Sequence, residues 1–438
     1  MAGTNLRATL VALFAIFLAS TYGPDVYRCL KTVGLLRKLE NTAVASSADF
    51  VRIEDTAQCE DVHLHEPSGL LFTACEDTIV PRSKWFPPLA NFDDPSIAAT
   101  SQGSIHVIDP KTFKSQRLAI DNFNGPFITH GFDIVADPEQ PEDAVYIFAV
   151  NHVPNPEYVA AKASKEGSQD PNTIPDKAHS RIELFHYVIG DSSVKHVRTI
   201  SHPLIQTPND VYAQSPNSIF VTNDHYYREG HMRAVEDLHY RAKWSTTIHL
   251  QISELESSDA TAGVTGRVAA ENLHNNNGLG HGRTPDEILI ASCVSGTMHI
   301  AKLPADPTTS NITVVEDVIV DTIVDNPNYF ADPYAKSTGE NKSGYLLPGL
   351  SHAINIGHNI HEAEAVDGAM VYFAQKDPAV PGGWKKRLIF ADDGTRLRSV
   401  SASLMVAIDP AENDGKRQAW LFATGFVSSN MIAVKVDL

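Results

Sequence analysis

Thr207-Pro208-Asn209-Asp210-Val211-Tyr212-Ala213, followed after a short polar break by Ser218-Ile219-Phe220-Val221-Thr222, is the stretch on which the fold turns. β-Branched and aromatic residues in runs of four or five, bounded by Pro, Asn and Ser, form short strands joined by a turn. The Asn209-Asp210 pair at the edge of the first run adds a second signal. A carboxamide beside a carboxylate supplies the hard oxygen donors that Ca²⁺ takes about six to eight at a time. An Asx-capped turn uses the same residues, so one pair decides nothing and recurrence carries the argument.

The pair does recur. Glu60-Asp61, His130-Gly131-Phe132-Asp133, Asn275-Asn276-Asn277-Gly278 and Asp325-Asn326 stand tens of residues apart, each at the edge of a β-type run. Clusters spaced in this way fit different repeats of one closed structure, which would bring them to a common centre.

Outward from that stretch, β-type runs and polar turns fill the chain after about residue 50. They include Leu70 to Ala74, Ser104 to Ile108, Ala144 to Val150, Arg181 to Ile189, Ser245 to Ile252, Glu287 to Ser292, Ala369 to Ala374 and Trp420 to Thr424. Only the N-terminus and His231 to Leu238 read as helix. Composition shows no halfway break, and about 390 residues divided by six leave roughly 65 per unit, room for four strands and long connections. The expected fold is therefore all-β, a six-bladed β-propeller over 46–438, with an N-terminal hydrophobic and amphipathic helical segment. Closure assigns Met431 to Val436 to a position beside Phe50 to Ile53. Polar inserts at Arg82 to Gln102, Asn155 to His179 and Tyr329 to Gly344 are expected as loops over one face, where binding residues gather.

The first 24 residues carry Arg7, an apolar run from Leu10 to Ala19 and a small-residue exit, the pattern of a signal peptide or retained anchor. Residues 25–45 mix Leu30, Val33, Leu35, Leu36 and Leu39 with Arg28, Lys31, Arg37 and Lys38. Such an amphipathic helix can touch a membrane surface or pack on the domain. Two glycosylation sequons, Asn311-Ile312-Thr313 and Asn341-Lys342-Ser343, fit a secreted or membrane-associated route. Cys59 and Cys75 flank a hairpin turn at Glu66-Pro67-Ser68-Gly69, within reach of a bridge, whereas Cys293 sits in an apolar run as a small hydrophobe. A net charge of -18, from 53 acidic against 35 Lys and Arg residues, disfavours nucleic-acid partners. Neither a Gly-x-Ser-x-Gly elbow nor a phosphate-cradling Walker loop is present.

In ordered combination, Glu60-Asp61, His130-Gly131, Val150-Asn151-His152, Asn209-Asp210, Thr222-Asn223-Asp224-His225-Tyr226, Asn277-Gly278 and Asp325-Asn326 resemble the serum paraoxonase/arylesterase family of six-bladed calcium-dependent lactonases. The resemblance implies two Ca²⁺ ions. Glu60, Asn209, Asn277, Asp325 and Asn326 would hold a catalytic one, and Asp61, Asp210 and the carbonyl of Phe132 a structural one deeper in the tunnel. It further implies His130 and His152 as the dyad that deprotonates water, and a small lactone or ester as substrate. One departure is visible: the family's disulfide joins the start of the domain to its end, and no cysteine stands at either place here. Other readings of the same residues are a sugar-lactone hydrolase on the same propeller, or a non-enzymatic binding propeller locked by calcium. His225 reads as a residue behind the ligands or a scaffold contact, His352 as one facing the tunnel from a later unit, and His274 and His281 as members of a polar loop.

Overall fold

Runs of Val, Ile, Phe and Ala broken by polar turns build antiparallel strands wherever each run can bury at least one face. The computed structural model describes residues 19–38, 49–163, 175–362 and 364–438. Most of the expected signal segment, and residues 39–45 of the expected amphipathic one, lie outside the described residues.

A helix, α1 (residues 19–32), precedes strand β1 (Phe50–Ile53). The strands that follow form blades. Blade 1 is β2 (His63–His65), β3 (Leu70–Cys75), β6 (Ser104–Asp109) and β7 (Lys114–Asp121). Its insert holds α2 (Ile79–Lys84), the small hairpin β4 (Trp85–Phe86) and β5 (Asn91–Phe92), and α3 (Pro95–Ala98). Blade 2 is β8 (Thr129–Ala136), β9 (Ala144–Asn151), β10 (Arg181–Val188) and β11 (Ser193–Ile200), with α4 (Pro156–Ala163) in its connection. Blade 3 is β12 (Pro208–Ser215), β13 (Ser218–Asn223), β14 (Ser245–Ile252) and β15 (Val264–Leu273), and carries α5 (His231–Leu238). Blade 4 is β16 (Asn276–His281), β17 (Glu287–Ser292), β18 (Thr297–Lys302) and β19 (Thr313–Ile319). Blade 5 is β20 (Asn328–Phe330), β21 (Gly344–Leu350), β22 (Ala369–Lys376) and β23 (Trp384–Asp392), with α6 (Ala335–Thr338) and α7 (Ile356–Asn359) in its loops. Blade 6 is β24 (Val400–Ala407), β25 (Gln418–Gly425), β26 (Met431–Asp437) and, from the other end of the chain, β1.

The ring closes by strand pairing: Phe50 faces Val434 and Ile53 faces Met431 in antiparallel register. This is the closure expected once no cysteine joins the two ends. Blades 1 and 2 are also joined at their outer edges, where Ser193 to Lys195 run parallel to Ala119 to Asp121. Apolar layers fill the wedges between blades. Val150 and Leu184 of blade 2 meet Val211, Val221 and Ile248 of blade 3, all buried. Each such side chain contributes about 1.5–3 kcal/mol relative to exposure.

Cys59 and Cys75 form the disulfide that their hairpin permits, and both are buried. The bridge closes a loop with a sequence separation of 16, for which chain entropy implies about 3 kcal/mol. Cys59→Ser is expected to lower stability by about that amount, read as a fall in denaturation midpoint that added reductant does not deepen. A midpoint equal to that of the unreduced parent would contradict it.

Candidate catalytic site at one end of the tunnel

Each innermost strand begins at the same end of the central tunnel, and the acid and amide clusters sit at those beginnings. Asn209 and Asp210 open β12, Asn277 opens β16, and His130 opens β8. Glu60 and Asp61 lie just before β2, while Asp325 and Asn326 lie just before β20, with Asn326 bridged to Ala402 of β24. The ladder slips at one place in four blades: between Thr129 and Phe132, Pro208 and Val211, Asn276 and Leu279, and Val400 and Ser403. A bulge of this kind breaks strict alternation and re-aims side chains. It answers how neighbours such as Asn209 and Asp210 can both serve the tunnel.

Two glycines make the approach close enough. A Cβ on Gly278 would overlap Asn326 Oδ1 and the Asp325 carbonyl, and one on Gly131 would overlap Asp210 Oδ1. Only a residue without a side chain lets the neighbouring inner strands come this near.

Glu60, Asn209, Asp325 and Asn326 are buried and Asn277 is half-buried. Asn326 Nδ2 donates to Glu60 Oε1 at 2.7 Å. Glu60 Oε2, Asn209 Oδ1, Asn277 Oδ1 and Asn326 Oδ1 are buried without a hydrogen-bond partner. Burial pushes the Glu60 carboxyl well above its ordinary range, and Asp325 and Asp61 push it further. Asp325 is raised by burial and then by Asp61 and Asp224. Buried acceptors facing no donor, among carboxylates that repel one another, are the arrangement a hard cation satisfies. Among the described residues no group of three or more His, Cys, Asp or Glu side chains is placed to hold a metal. The donor set here differs in kind, since most of its oxygens belong to carboxamides. It does not suit Zn²⁺, which takes imidazole and thiolate.

Glu60, Asn209, Asn277 and Asp325 line a cavity of about 510 Å³ whose walls include Phe86, Leu89, Leu238, Ile323, Leu350 and Phe426. His130 lines it and His152 stands behind. His152 Nε2 is 3.2 Å from His130 Nδ1, and its Nδ1 is 2.8 Å from Ser180 Oγ. Trp85 Nε1 donates to the His152 carbonyl at 2.8 Å, and the ring of Phe86 stands edge-on to both imidazoles. Burial, with the Arg82 charge, lowers His152 to about 3, and burial with His152 and Arg82 holds His130 well below the usual imidazole range.

Deeper in the tunnel, Asp210 is pushed up by burial and then by Asp61 and Glu60. Its oxygens accept from Val211 N and Leu279 N, both at 2.7 Å. Asp61 accepts from Val62 N at 2.6 Å and lies 3.0 Å from His63 Nε2. The ring of Phe132 packs in the core between blades 1 and 2, so its backbone is what remains for the tunnel wall.

Sequence reading did not single out His63 or Asp133 as a unit. His63 Nδ1 is 3.2 Å from Asp133 Oδ1, and His281 Nε2 is 2.8 Å from Asp133 Oδ2. Burial alone would depress His63, but Asp61 and Asp133 raise it to about 9, so it balances one of the buried carboxylates as an imidazolium. His281, expected in a polar loop, instead joins this network from β16. His225 does line the cavity: its ring lies 2.9 Å from Asp224 Oδ1 and 2.6 Å from Asp237 Oδ1. Asn275 and Cys293 line it too, whereas His274 Nε2 donates to the Glu236 carbonyl, and His352 is absent from the lining.

The family model described as Arylesterase matches residues 172–337. Serum paraoxonase/arylesterase 2 of Gallus gallus is 27% identical over 256 residues, 58% of this chain and 61% of that protein. Serum paraoxonase/arylesterase 1 of Mus musculus is 24% identical over 290 residues, 65% of this chain and 64% of its own. This chain is similar to the serum paraoxonase/arylesterases over part of its length. It matches between about half and two thirds of the length of the curated relatives, 55% in the Homo sapiens serum paraoxonase/arylesterase 2. Among solved structures, regucalcin of Agrobacterium tumefaciens superposes with a TM-score of 0.42 at 7% identity, covering 91% of this chain and 96% of its own.

Proposed function

We propose that this chain is a Ca²⁺-dependent hydrolase of lactones and aryl esters, with His130 as the base that activates water. The observation that carries the reading is the set of four unpartnered oxygens, three of them on residues that line an apolar cavity, beside a buried imidazole pair. Glu60, Asn209, Asn277, Asp325 and Asn326 would hold one ion, and Asp61, Asp210 and the Phe132 carbonyl a second. Two divalent cations would balance the four carboxylates Glu60, Asp61, Asp210 and Asp325, once Asp133 is matched by His63. When bound, the first ion supplies Lewis acidity toward an ester carbonyl and a counter-charge for the developing oxyanion.

The protein's own residues supply the rest. If His152 Nδ1 donates to Ser180 Oγ, its Nε2 accepts from His130 Nδ1–H, and His130 Nε2 keeps the lone pair that takes a proton from water. As His130 becomes charged, His152 stabilises it through the same hydrogen bond. Phe86 and Trp85 hold both rings in place, and the apolar walls seat the hydrocarbon part of a small substrate while excluding bulk water.

The buried Cys59–Cys75 bridge fits an oxidising compartment, so the chain is assigned to the secretory pathway, secreted or held at a membrane by its N-terminus. Among the described residues no helix is long and apolar enough to cross a membrane.

The test is hydrolysis of γ- and δ-lactones of graded chain length, aldonolactones and phenyl acetate by the purified chain. Turnover is expected in Ca²⁺, lost in chelator and regained on Ca²⁺ addition. Turnover indifferent to stripping overturns the reading. A protein that binds Ca²⁺ and hydrolyses nothing on the panel is a calcium-locked binding propeller.

A further inference from the structure

The last turn of α1 and the turn that follows it are built into the wall of the cavity. Thr32, 1% exposed, donates through Oγ1 to the Val294 carbonyl at 2.9 Å and meets Tyr240 Oη at 2.7 Å. Arg28 donates to Thr297 Oγ1 at 2.7 Å and to the Ser295 carbonyl. Arg37 donates to the Ser351 carbonyl at 2.6 Å and to that of Asp321, and Lys31 pairs with Asp321 at 2.7 Å. These anchors reach the β17–β18 turn of blade 4, the loops before β20 and after β21, and the tail of α5. All of those regions frame the cavity mouth.

Between the anchors lies Val33, 5% exposed and part of the cavity lining with Leu238, Val294 and Ile354. Its carbonyl accepts from Ile354 N at 3.0 Å, which ties the loop after β21 to the N-terminal segment. Gly34 follows with φ of +83°, and a Cβ there would overlap the Ser351 carbonyl. Only glycine permits the turn that presses Val33 inward. A surface-lying amphipathic helix would need none of these buried polar anchors. They cost ordering entropy that a loosely attached leader would not spend.

We infer that residues 28–37 complete the substrate cavity and that Val33 is a specificity-determining residue, its side chain setting the room for the apolar chain of the substrate. The cavity part of this inference stands on geometry alone, and the substrate part rests on the hydrolase reading.

Cys293 lines the same cavity and is a free thiol, which gives a readout independent of turnover. In a Cys29→Ser background, the rate at which a bulky aryl maleimide labels Cys293 measures access. Val33→Ala is expected to raise that rate several-fold and Val33→Phe to lower it. In parallel, the ratio of kcat/KM for long-chain over short-chain lactones is expected to rise about tenfold in Val33→Ala and to fall comparably in Val33→Phe. Val33→Leu, the gentler enlargement, covers the case in which the phenylalanine variant fails to fold. Val26→Ala, at a side chain 54% exposed on α1 outside residues 28–37, is the control that moves neither readout. Unchanged labelling and an unchanged chain-length ratio in folded Val33 variants overturn the inference. Labelling that responds while no variant hydrolyses any lactone keeps the wall and removes the hydrolase.

Discussion

Glu60→Gln is expected to cut lactone hydrolysis by about 10²–10³-fold, the scale on which one well-aimed electrostatic group acts in a transition state. Stripped of divalent cations, the same variant is expected to melt above the stripped parent. The two signs have one cause. Glu60 is 1% exposed, and its carboxylate is opposed by those of Asp325 and Asp61. Without a cation that repulsion is uncompensated, and the amide removes it while keeping the acceptor for Asn326 Nδ2, now 2.7 Å from Glu60 Oε1. With Ca²⁺ present the parent regains the advantage, because a carboxylate binds the ion and an amide binds it less. Calorimetry in Ca²⁺ and in chelator, beside the lactone assay, reads both. A variant that melts below the parent in both conditions would show Glu60 to be an ordinary structural acid and would remove the cation from the argument.

His130→Gln is the second large effect. General-base catalysis contributes about 10²–10⁴ in rate, and a loss of that size is expected, with calcium affinity within about twofold of the parent. His152→Gln is expected to lose less, about tenfold, since it acts on the base through one 3.2 Å contact and does not line the cavity. A His130→Gln enzyme retaining most of its turnover would move the base elsewhere. His225 would then be the next candidate, as it lines the same cavity between Asp224 and Asp237.

Much of this was legible in the residues because the inner parts of a propeller are strongly patterned. Ala144 to Val150 and Ser218 to Thr222 are buried on both faces, and they read as strands from composition alone. Two outermost strands, β7 and β15, were not legible. In β7 only Leu118 is buried among Lys114, Gln116, Arg117 and Asp121, and β15 mixes Gly266 and Arg267 with exposed Glu271 and Asn272. A strand at the rim of its blade, open to solvent along most of its length, needs no apolar period. β16 was hidden for the opposite reason. Its Asn276-Asn277-Gly278 opening is shaped by close approach and by the tunnel, and strand propensity has no part in it. The acid and amide clusters could be found because they recur, whereas His63, Asp133 and His281 belong to three separate strands and come together only through the ring. The insert at Arg82 to Gln102 likewise read as a loop, yet it folds into β4, β5 and α3 and brings Phe86 against His130.

The closure of blade 6 sets an order of events during synthesis. β1 is the first of the described strands to leave the ribosome, and its hydrogen-bonding partner β26 is the last of them, after some 380 intervening residues have been made. Until then an apolar edge waits unpaired, and a nascent chain in that state invites association with its neighbours. Chaperone demand should therefore peak late in translation, and a stop codon ahead of Met431 would leave five complete blades and a sixth without the strand that clasps β1.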